Sequence, residues 1–167
     1  WAYGPGQWRL DQDGLSVTIS RVGGICKIGA GWEDYVFSFD FKIMNSCAAW
    51  IVRASSSDFL PTRYVMIQCT SDQIRPHKYF NVETEDGTLK DAFTVVDEID
   101  HNLSLGEWHT ARTQVVGNGI RVWINDEEVW EDPQVLANFP KGTVGFRQWS
   151  HEHALFRGIR VEKLNAA

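Results

Sequence analysis

The chain has 167 residues, of which 43% are hydrophobic, and this length fits one domain that buries a core without depending on disulfides. A formal net charge of −6, with no compensating block of Lys and Arg, argues against binding to nucleic acid or to an anionic membrane surface. No apolar run approaches the roughly 20 residues of a membrane-spanning helix. We expect one monomeric domain over residues 1–167, excised from a larger multidomain protein because the chain does not begin with Met.

The predicted elements, in chain order, are all β-strands. After an early strand "LSVTI", the segment "DYVFSFDFKI" alternates apolar and polar residues from Tyr35 to Ile43, which is the period of a strand with one buried face. The later strands are "AAWIVRA", "RYVMIQCT", "FTVVDEI", "WHTARTQVV", "IRVWIN", "GTVGFRQW" and "LFRGIRVEKL". Many short strands separated by turn residues predict an all-β fold, a two-sheet antiparallel β-sandwich of the jelly-roll type.

The strand "AAWIVRA" carries Trp50 and Arg53, and the turn at Asn45 decides which of the two faces the core. A hairpin with a two-residue loop there points Trp50 into the core with Phe39 and points Arg53 into a groove. One further loop residue exchanges the two side chains. We favour the first arrangement, because Trp suits a core and Arg does not.

The three cysteines, Cys26, Cys47 and Cys69, contain no C-x-x-C pair, so their spacing suggests neither zinc nor a redox motif. Cys47 and Cys69 lie on adjacent predicted strands, so a disulfide between them is one alternative. Three buried free thiols that behave as small hydrophobes are the other alternative. The sequence leaves both open.

Two segments have part of a metal-binding pattern. His151-Glu152-His153 would place two imidazoles on one face of a strand, but no third ligand has suitable spacing, so a solvated pair is favoured. The segment from Asp11 to Gly14 begins like a calcium loop and lacks the later carboxylates. Asp11 and Asp13 are therefore weak calcium candidates, and a polar turn is the favoured reading.

The order of the strands resembles a known superfamily. A Phe-rich strand is followed by "AWIVRA", "YVMIQ", "GEWHTARTQVVGNGIRVWINDEEVWED" and "KGTVGFRQWSHEHALFRGIRVEKL". This succession resembles the concanavalin A-like lectin/glucanase superfamily over residues 8–164. It is most similar to laminin-G-like jelly rolls related to 3-keto-disaccharide hydrolases, to levanase fructan-binding modules and to accessory domains of α-L-rhamnosidases. The resemblance implies two curved sheets whose concave face takes carbohydrate, and a structural calcium ion near the chain ends.

A catalytic site of a common kind is not visible in the sequence. A typical glycosidase needs two suitably separated carboxylates, whereas the acidic cluster at residues 83–87 reads as a hairpin tip. No G-x-S-x-G elbow is present for a serine nucleophile. We therefore predict no catalytic residues. A glycoside or 3-keto-glycoside hydrolase remains the alternative, because 3-keto-disaccharide hydrolases have no simple linear signature.

Sugar binding fits the composition better. Aromatic rings stack on the C–H faces of sugars, while Arg, Gln and His offer several donors and acceptors to hydroxyl groups. Rhamnosidase accessory domains carry a similar Arg-Pro-His stretch, which the resemblance carries to residues 75–77. The predicted carbohydrate-binding residues are Arg53, Gln68, Arg75, His77, Arg147, Gln148 and Trp149.

The sequence thus predicts a non-catalytic carbohydrate-binding module that targets an attached glycoside hydrolase to a plant or microbial polysaccharide. The expected partners are an oligo- or polysaccharide and the attached catalytic domain, and the expected location is extracellular or at the cell surface. A laminin-G-like protein-interaction domain is a second alternative. Fructan, rhamnose-containing, galactan and arabinan ligands are all compatible with the sequence.

Overall fold

The computed structural model describes residues 1, 3–4, 6–58 and 60–164, without the side chains of residues 21, 60, 81–83, 89 and 91. The regular secondary structure of these residues consists of β-strands. None of these segments offers a helix long and apolar enough to cross a membrane. The strands are β1 (Gln7–Asp11), β2 (Gly14–Ile25), β3 (Tyr35–Asn45), β4 (Cys47–Ser57), β5 (Leu60–Thr70), β6 (Gln73–Glu83), β7 (Leu89–Val95), β8 (Ile99–Asp100), β9 (Trp108–Val116), β10 (Gly119–Ile124), β11 (Glu127–Asp132) and β12 (Thr143–Lys163).

Strand β12 belongs to both layers of the fold. All pairings are antiparallel, in the order β11-β10-β9-β3-β12-β4-β5-β6-β7. The first half of β12 pairs with β4, where Phe146 lies opposite Trp50, and the second half pairs with β3, where Phe156 lies opposite Phe41. Strand β2 follows β12 through both halves. The predicted two-sheet β-sandwich is confirmed.

An aromatic core joins the two layers. The alternating apolar residues of β3 are all buried, as the period of two predicts. The ring of Phe39 lies 5.2 Å from that of Trp50 on β4 and 5.2 Å from that of Phe146 on β12. The indole N–H of Trp50 donates to Thr113 Oγ1 at 2.9 Å, so its polar atom is satisfied. The prediction that Trp50 lies in the core is confirmed.

The connection at Asn45 is not the hairpin that the sequence suggests. β3 and β4 do not pair with each other, because each pairs with a different half of β12. Ser46, with φ of 67°, makes the sharp turn between them. The chain therefore passes here from one layer to the other.

The register of β4 and β5 separates Cys47 from Cys69, for which the sequence left a disulfide as an alternative. Cys47 lies opposite Thr70, and Cys69 lies opposite Ala48, so the two side chains point to opposite faces. All three cysteines are free, which resolves the open question against a disulfide. Burial raises the pKa of the Cys47 and Cys69 thiols and keeps them protonated.

Candidate functional site

The second layer consists of the first half of β12 followed by β4, β5, β6 and β7. Its outer face presents two rows of side chains that run across the strands. In the first row, Met66 on β5 lies opposite His77 on β6, which lies opposite Val95 on β7. In the second row, Gln68 on β5 lies opposite Arg75 on β6. Because side chains two residues apart share a face, the rows are neighbours and combine apolar and hydrogen-bonding groups.

Arg147 extends from β12 across this face. Its guanidinium carbon lies 4.8 Å from the ring centre of Phe93 and 4.8 Å from that of Trp149. Its Nη1 atom approaches the sulfur of Met66 at 3.8 Å. In a flat sheet, four strand spacings would separate β12 from β7 by about 19 Å. The contact with Phe93 therefore shows that the layer curls, and we call this outer face the concave face.

A groove of about 340 Å³ lies on the concave face. Its lining consists of Met66, Gln68, Arg75, His77, Phe93, Val95, Arg147, Trp149 and Glu152. Five of the predicted carbohydrate-binding residues are thus brought together, namely Gln68, Arg75, His77, Arg147 and Trp149. Trp149 is 46% exposed and Phe93 is 42% exposed, so both rings are open to a ligand.

Two other depressions are as large or larger, and their linings are less suited to a ligand. One of about 400 Å³ beside β9 and β10 has no aromatic side chain. One of about 530 Å³ beside β1 and β2 includes Trp8 and Arg9, but the guanidinium of Arg9 is engaged by the carboxylate of Asp11. The groove on the concave face alone among these three joins several hydrogen-bonding side chains to two exposed rings.

His77 is held as a neutral imidazole. Its Nδ1 atom lies 2.8 Å from the carbonyl oxygen of Arg75, and because a carbonyl only accepts, Nδ1 carries the proton. Burial lowers the pKa of His77 and outweighs the hydrogen bond to the Arg75 carbonyl, which raises it. The positive charges of Arg75 and Arg147 lower the pKa further, and the charge of Glu152 opposes them. The neutral ring keeps a lone pair on Nε2, so His77 brings an acceptor to a groove whose arginines only donate.

Glu152 is a groove residue that the sequence analysis assigned only to a doubtful metal pattern. Its Oε1 accepts a hydrogen bond from Gln68 Nε2 at 3.1 Å, and its Oε2 accepts from the backbone N–H of Trp149. The sequence analysis also missed Met66, Phe93 and Val95. For Phe93 and Val95 a signal was available, since they alternate with Thr94 in a predicted strand.

Arg75 borders the groove on its polar side. Its Nε atom forms an ion pair with Glu98 Oε1 at 3.2 Å, and both side chains are partly exposed. Exposed ion pairs contribute little to stability. We therefore assign Arg75 a place at the rim, where the carboxylate of Glu98 orients it.

The placement predicted for Arg53 is wrong. The register of β4 shifts between Val52 and Ser55, and Arg53 has φ of 51°, so the alternation of facing is broken at this point. The side chain is 1% exposed and points away from the groove, towards Asp34 at 3.6 Å. Its guanidinium donates to the backbone carbonyls of Gly117, Phe139 and Pro140. Arg53 therefore ties together loops at one end of the sandwich.

The placement predicted for Gln148 is also wrong. Its side chain is fully buried, where Oε1 accepts from Ala49 N–H at 2.8 Å and Nε2 donates to Cys47 O at 2.7 Å. Neighbours on a strand point to opposite faces, so Gln148 cannot share a face with Arg147 and Trp149. It satisfies the backbone of β4 instead of binding in the groove.

The predicted metal candidates find no ligand set. Among the described residues, no three His, Cys, Asp or Glu side chains gather where they could hold a metal ion. Arg9 Nε and Nη2 donate to Asp11 at 3.0 and 2.7 Å, and these bonds lower the pKa of Asp11. A guanidinium so close repels a calcium ion, so Asp11 and Asp13 do not fit a calcium site. His153 Nε2 lies 2.9 Å from Ser16 Oγ, and His151 is exposed.

Comparison with known proteins agrees with this architecture. A family model described as a 3-keto-alpha-glucoside-1,2-lyase-like domain matches residues 1–162 of the chain. No curated protein matches the chain by sequence. The carbohydrate-binding module CBM66 from Bacillus subtilis superposes with a TM-score of 0.73 at 18% identity, over 95% of this chain and 92% of that one.

Two further solved structures share the fold. A Bacillus subtilis protein of unknown function with a galectin-like fold gives a TM-score of 0.70 at 12% identity, over 96% of this chain and 87% of that one. A Parabacteroides distasonis protein provisionally described as a glycosyl hydrolase gives 0.65 at 13% identity, over 95% and 83%. At such identities the likeness shows the fold alone. The family model confirms the predicted resemblance to 3-keto-disaccharide hydrolase-like domains, and the solved structures share the fold.

Proposed function

The chain belongs to the family of 3-keto-alpha-glucoside-1,2-lyase-like domains, and on this premise we propose that it is a carbohydrate-binding module whose concave groove holds a saccharide. The observation that carries this proposal is the guanidinium of Arg147 between the exposed rings of Phe93 and Trp149. A sugar ring stacks its C–H face on such rings, while its hydroxyl groups need directed donors and acceptors.

The polar lining complements a hydroxyl-rich ligand. Arg75 and Arg147 only donate, the neutral ring of His77 accepts through Nε2, and the carboxamide of Gln68 does both. Adjacent hydroxyl groups of a sugar also donate and accept, so each finds a partner in the groove. The structural likeness to the module CBM66, which covers nearly the whole of both chains, supports this assignment.

The biological role that we infer is targeting. An attached glycoside hydrolase would be held near a plant or microbial polysaccharide at the cell surface or outside the cell. Linking a weak binding site to a catalytic domain raises the effective concentration of the substrate without any new contact. A groove of about 340 Å³ is at the small end of ligand sites, which suits one or two sugar rings.

Retention on polysaccharide affinity gels tests the proposal, with levan, rhamnogalacturonan, arabinan and galactan as the panel. The matched variants are Arg147→Ala and Arg157→Ala, because both arginines lie on β12 and both cover an aromatic ring. Arg157 stands 3.8 Å from the ring centre of Trp108, outside the groove. We expect at least one gel to retain the unaltered protein and the Arg157 variant but not the Arg147 variant. Equal retention of both variants, or none of the unaltered protein, contradicts the proposal.

A lyase or hydrolase acting on 3-keto-glucosides is the second candidate, and the neutral His77 favours it. In such a sugar the carbonyl acidifies the C2 proton. A base that removes this proton lets the electron pair form a C1=C2 double bond, while the glycosidic oxygen leaves and takes up a proton. Nε2 of His77 could serve as that base. Mass spectrometry of a 3-keto-glucoside incubated with the protein and with His77→Asn decides: product from the first alone supports catalysis, and no product from either rejects it.

A further inference from the structure

Residues 149–152 form a bulge within β12, at the point where this strand leaves one layer and enters the other. The register with β2 shifts just before the bulge, between Phe146 and Gln148, and again across it, between Gln148 and His153. Neighbouring strands hold its backbone by two hydrogen bonds. Asn45 Nδ2 donates to the carbonyl of His151 at 2.7 Å, and Thr18 Oγ1 donates to the carbonyl of Glu152 at 2.9 Å.

The carboxylate of Glu152 adds a third tie, which joins the bulge to the groove. It accepts from the side chain of Gln68 on β5 and from the backbone N–H of Trp149 within the bulge. The thiol of Cys47 is a third neighbour of this carboxylate. After burial, the charge of Glu152 and its hydrogen bond with the thiol are the next causes that raise the pKa of Cys47, so the protonated thiol donates to Glu152 beside the two N–H donors.

We propose that Glu152 is the positioning residue of the groove: its one carboxylate fixes the carboxamide of Gln68 and the backbone that carries the Trp149 ring. This inference rests on the proposed function for the statement that the ligand is a saccharide. A carboxylate has no donor, so it can accept from both groups at once, and its charge strengthens both bonds. Without this carboxylate, the bulge keeps its hydrogen bonds to Asn45 and Thr18 but loses the one that sets the Trp149 ring against Arg147.

The first test uses the ligand-free protein, so it does not depend on the proposed function. Incorporation of 5-fluorotryptophan gives a ¹⁹F NMR spectrum, in which Trp149→Phe identifies the Trp149 resonance. We expect Glu152→Ala to shift or broaden this resonance and to leave that of Trp108 in place. The matched control is Glu162→Ala, because Glu162 is another glutamate of β12 and pairs only with the exposed Arg160 among the contacts described. An unmoved Trp149 resonance overturns the proposal.

The second test measures saccharide affinity by calorimetry with the polysaccharide fragment that the affinity gels select. We expect Glu152→Ala to weaken binding by about tenfold or more, the scale of one charge-assisted hydrogen bond. Glu152→Gln should recover most of this loss, because the carboxamide of Gln68 can turn to keep the tie without the charge. In a double-mutant cycle with Gln68→Ala, the two losses should not add.

The two tests separate the possible failures. If affinity falls while the Trp149 resonance stays in place, Glu152 contacts the saccharide itself, and the positioning role is wrong. If the resonance moves while the unaltered protein binds no saccharide, the positioning role stands and the proposed function fails. If Glu152→Ala does not fold, the resonance is read in Glu152→Met, which keeps the length of the side chain and removes both acceptor oxygens. Additive losses of Glu152→Met and Gln68→Ala would also overturn the proposal.

Discussion

The guanidinium carbon of Arg147 lies 4.8 Å from the ring centre of Phe93, although three strands of the sheet order stand between their strands, β12 and β7. The second layer must therefore curl until its edge strand β7 approaches β12. The same guanidinium also lies 4.8 Å from the ring centre of Trp149. The groove is thus built by the curvature of the sheet, and its two rings come from segments 56 residues apart (149 − 93).

Removing either ring should weaken saccharide binding without unfolding the protein. We expect Trp149→Ala and Phe93→Ala each to lower affinity roughly tenfold, which corresponds to about 1.4 kcal/mol. Both side chains are more than 40% exposed, so the free energy of unfolding should change by less than about 1 kcal/mol. Calorimetry and urea unfolding measure the two effects. Trp108→Ala is the control, and a loss of affinity in that variant would show that the ligand lies elsewhere.

Arg53 should matter for stability and not for binding. Arg53→Ala leaves backbone carbonyls of three loop residues without their buried donor, which we expect to cost at least about 2 kcal/mol of unfolding free energy. Arg63→Ala is the control, because Arg63 is exposed and donates to one carbonyl of the same region, that of Asn138. Urea unfolding compares the two variants. If Arg53→Ala keeps the urea midpoint of the unaltered protein but is no longer retained on the polysaccharide gel, Arg53 is a binding residue and the structural role is wrong.

The lowered pKa of His77 predicts a loss of stability in weak acid. The unfolded chain takes up a proton near pH 6.5, the ordinary pKa of histidine, while the buried imidazole takes it up only at lower pH. The unfolded state therefore binds more protons between the two pKa values. Stability should therefore fall as the pH drops below about 6.5. Urea midpoints between pH 7 and pH 5 should show this fall, and His77→Asn should reduce it. The same slope in both proteins would assign the effect to other groups.

The cysteines should differ in their reactivity. Cys47 and Cys69 are buried and their pKa values are raised, so few thiolates are available for alkylation. Cys26 is only partly buried. Under native conditions we expect iodoacetamide to modify Cys26 first, as read by peptide mass spectrometry, and reducing agents to leave the melting temperature unchanged. A melting temperature that falls on reduction would reveal a disulfide.

The alternation of apolar and polar residues was enough to predict the β-strands of the fold and part of the groove. The preference of Trp over Arg for a core placed Trp50 correctly. The period of two puts Arg147 and Trp149 on one face, because they are two residues apart. The same rule excludes Gln148 from that face, and the prediction that grouped all three neighbours overlooked it. The error was avoidable from the sequence.

Other features could not be read from local patterns. The break in alternation at Arg53 depends on a register shift that follows from how β4 pairs with its neighbours. Glu152 enters the groove because β12 changes layers at residues 149–152, and Phe93 enters because the sheet curls. Both are consequences of long-range packing, which the period of a single strand does not encode.

The central claim is that the concave groove binds a saccharide through Arg147 and the ring of Trp149. The most direct measurement is an NMR titration with the oligosaccharide selected by the affinity gels, following side-chain N–H resonances assigned by substitution. We predict saturable shifts of the Arg147 guanidinium and Trp149 indole signals, while those of Arg157 and Trp108 remain in place. Shifts confined to Arg157 and Trp108, or no saturable shift with any saccharide of the panel, would contradict the claim.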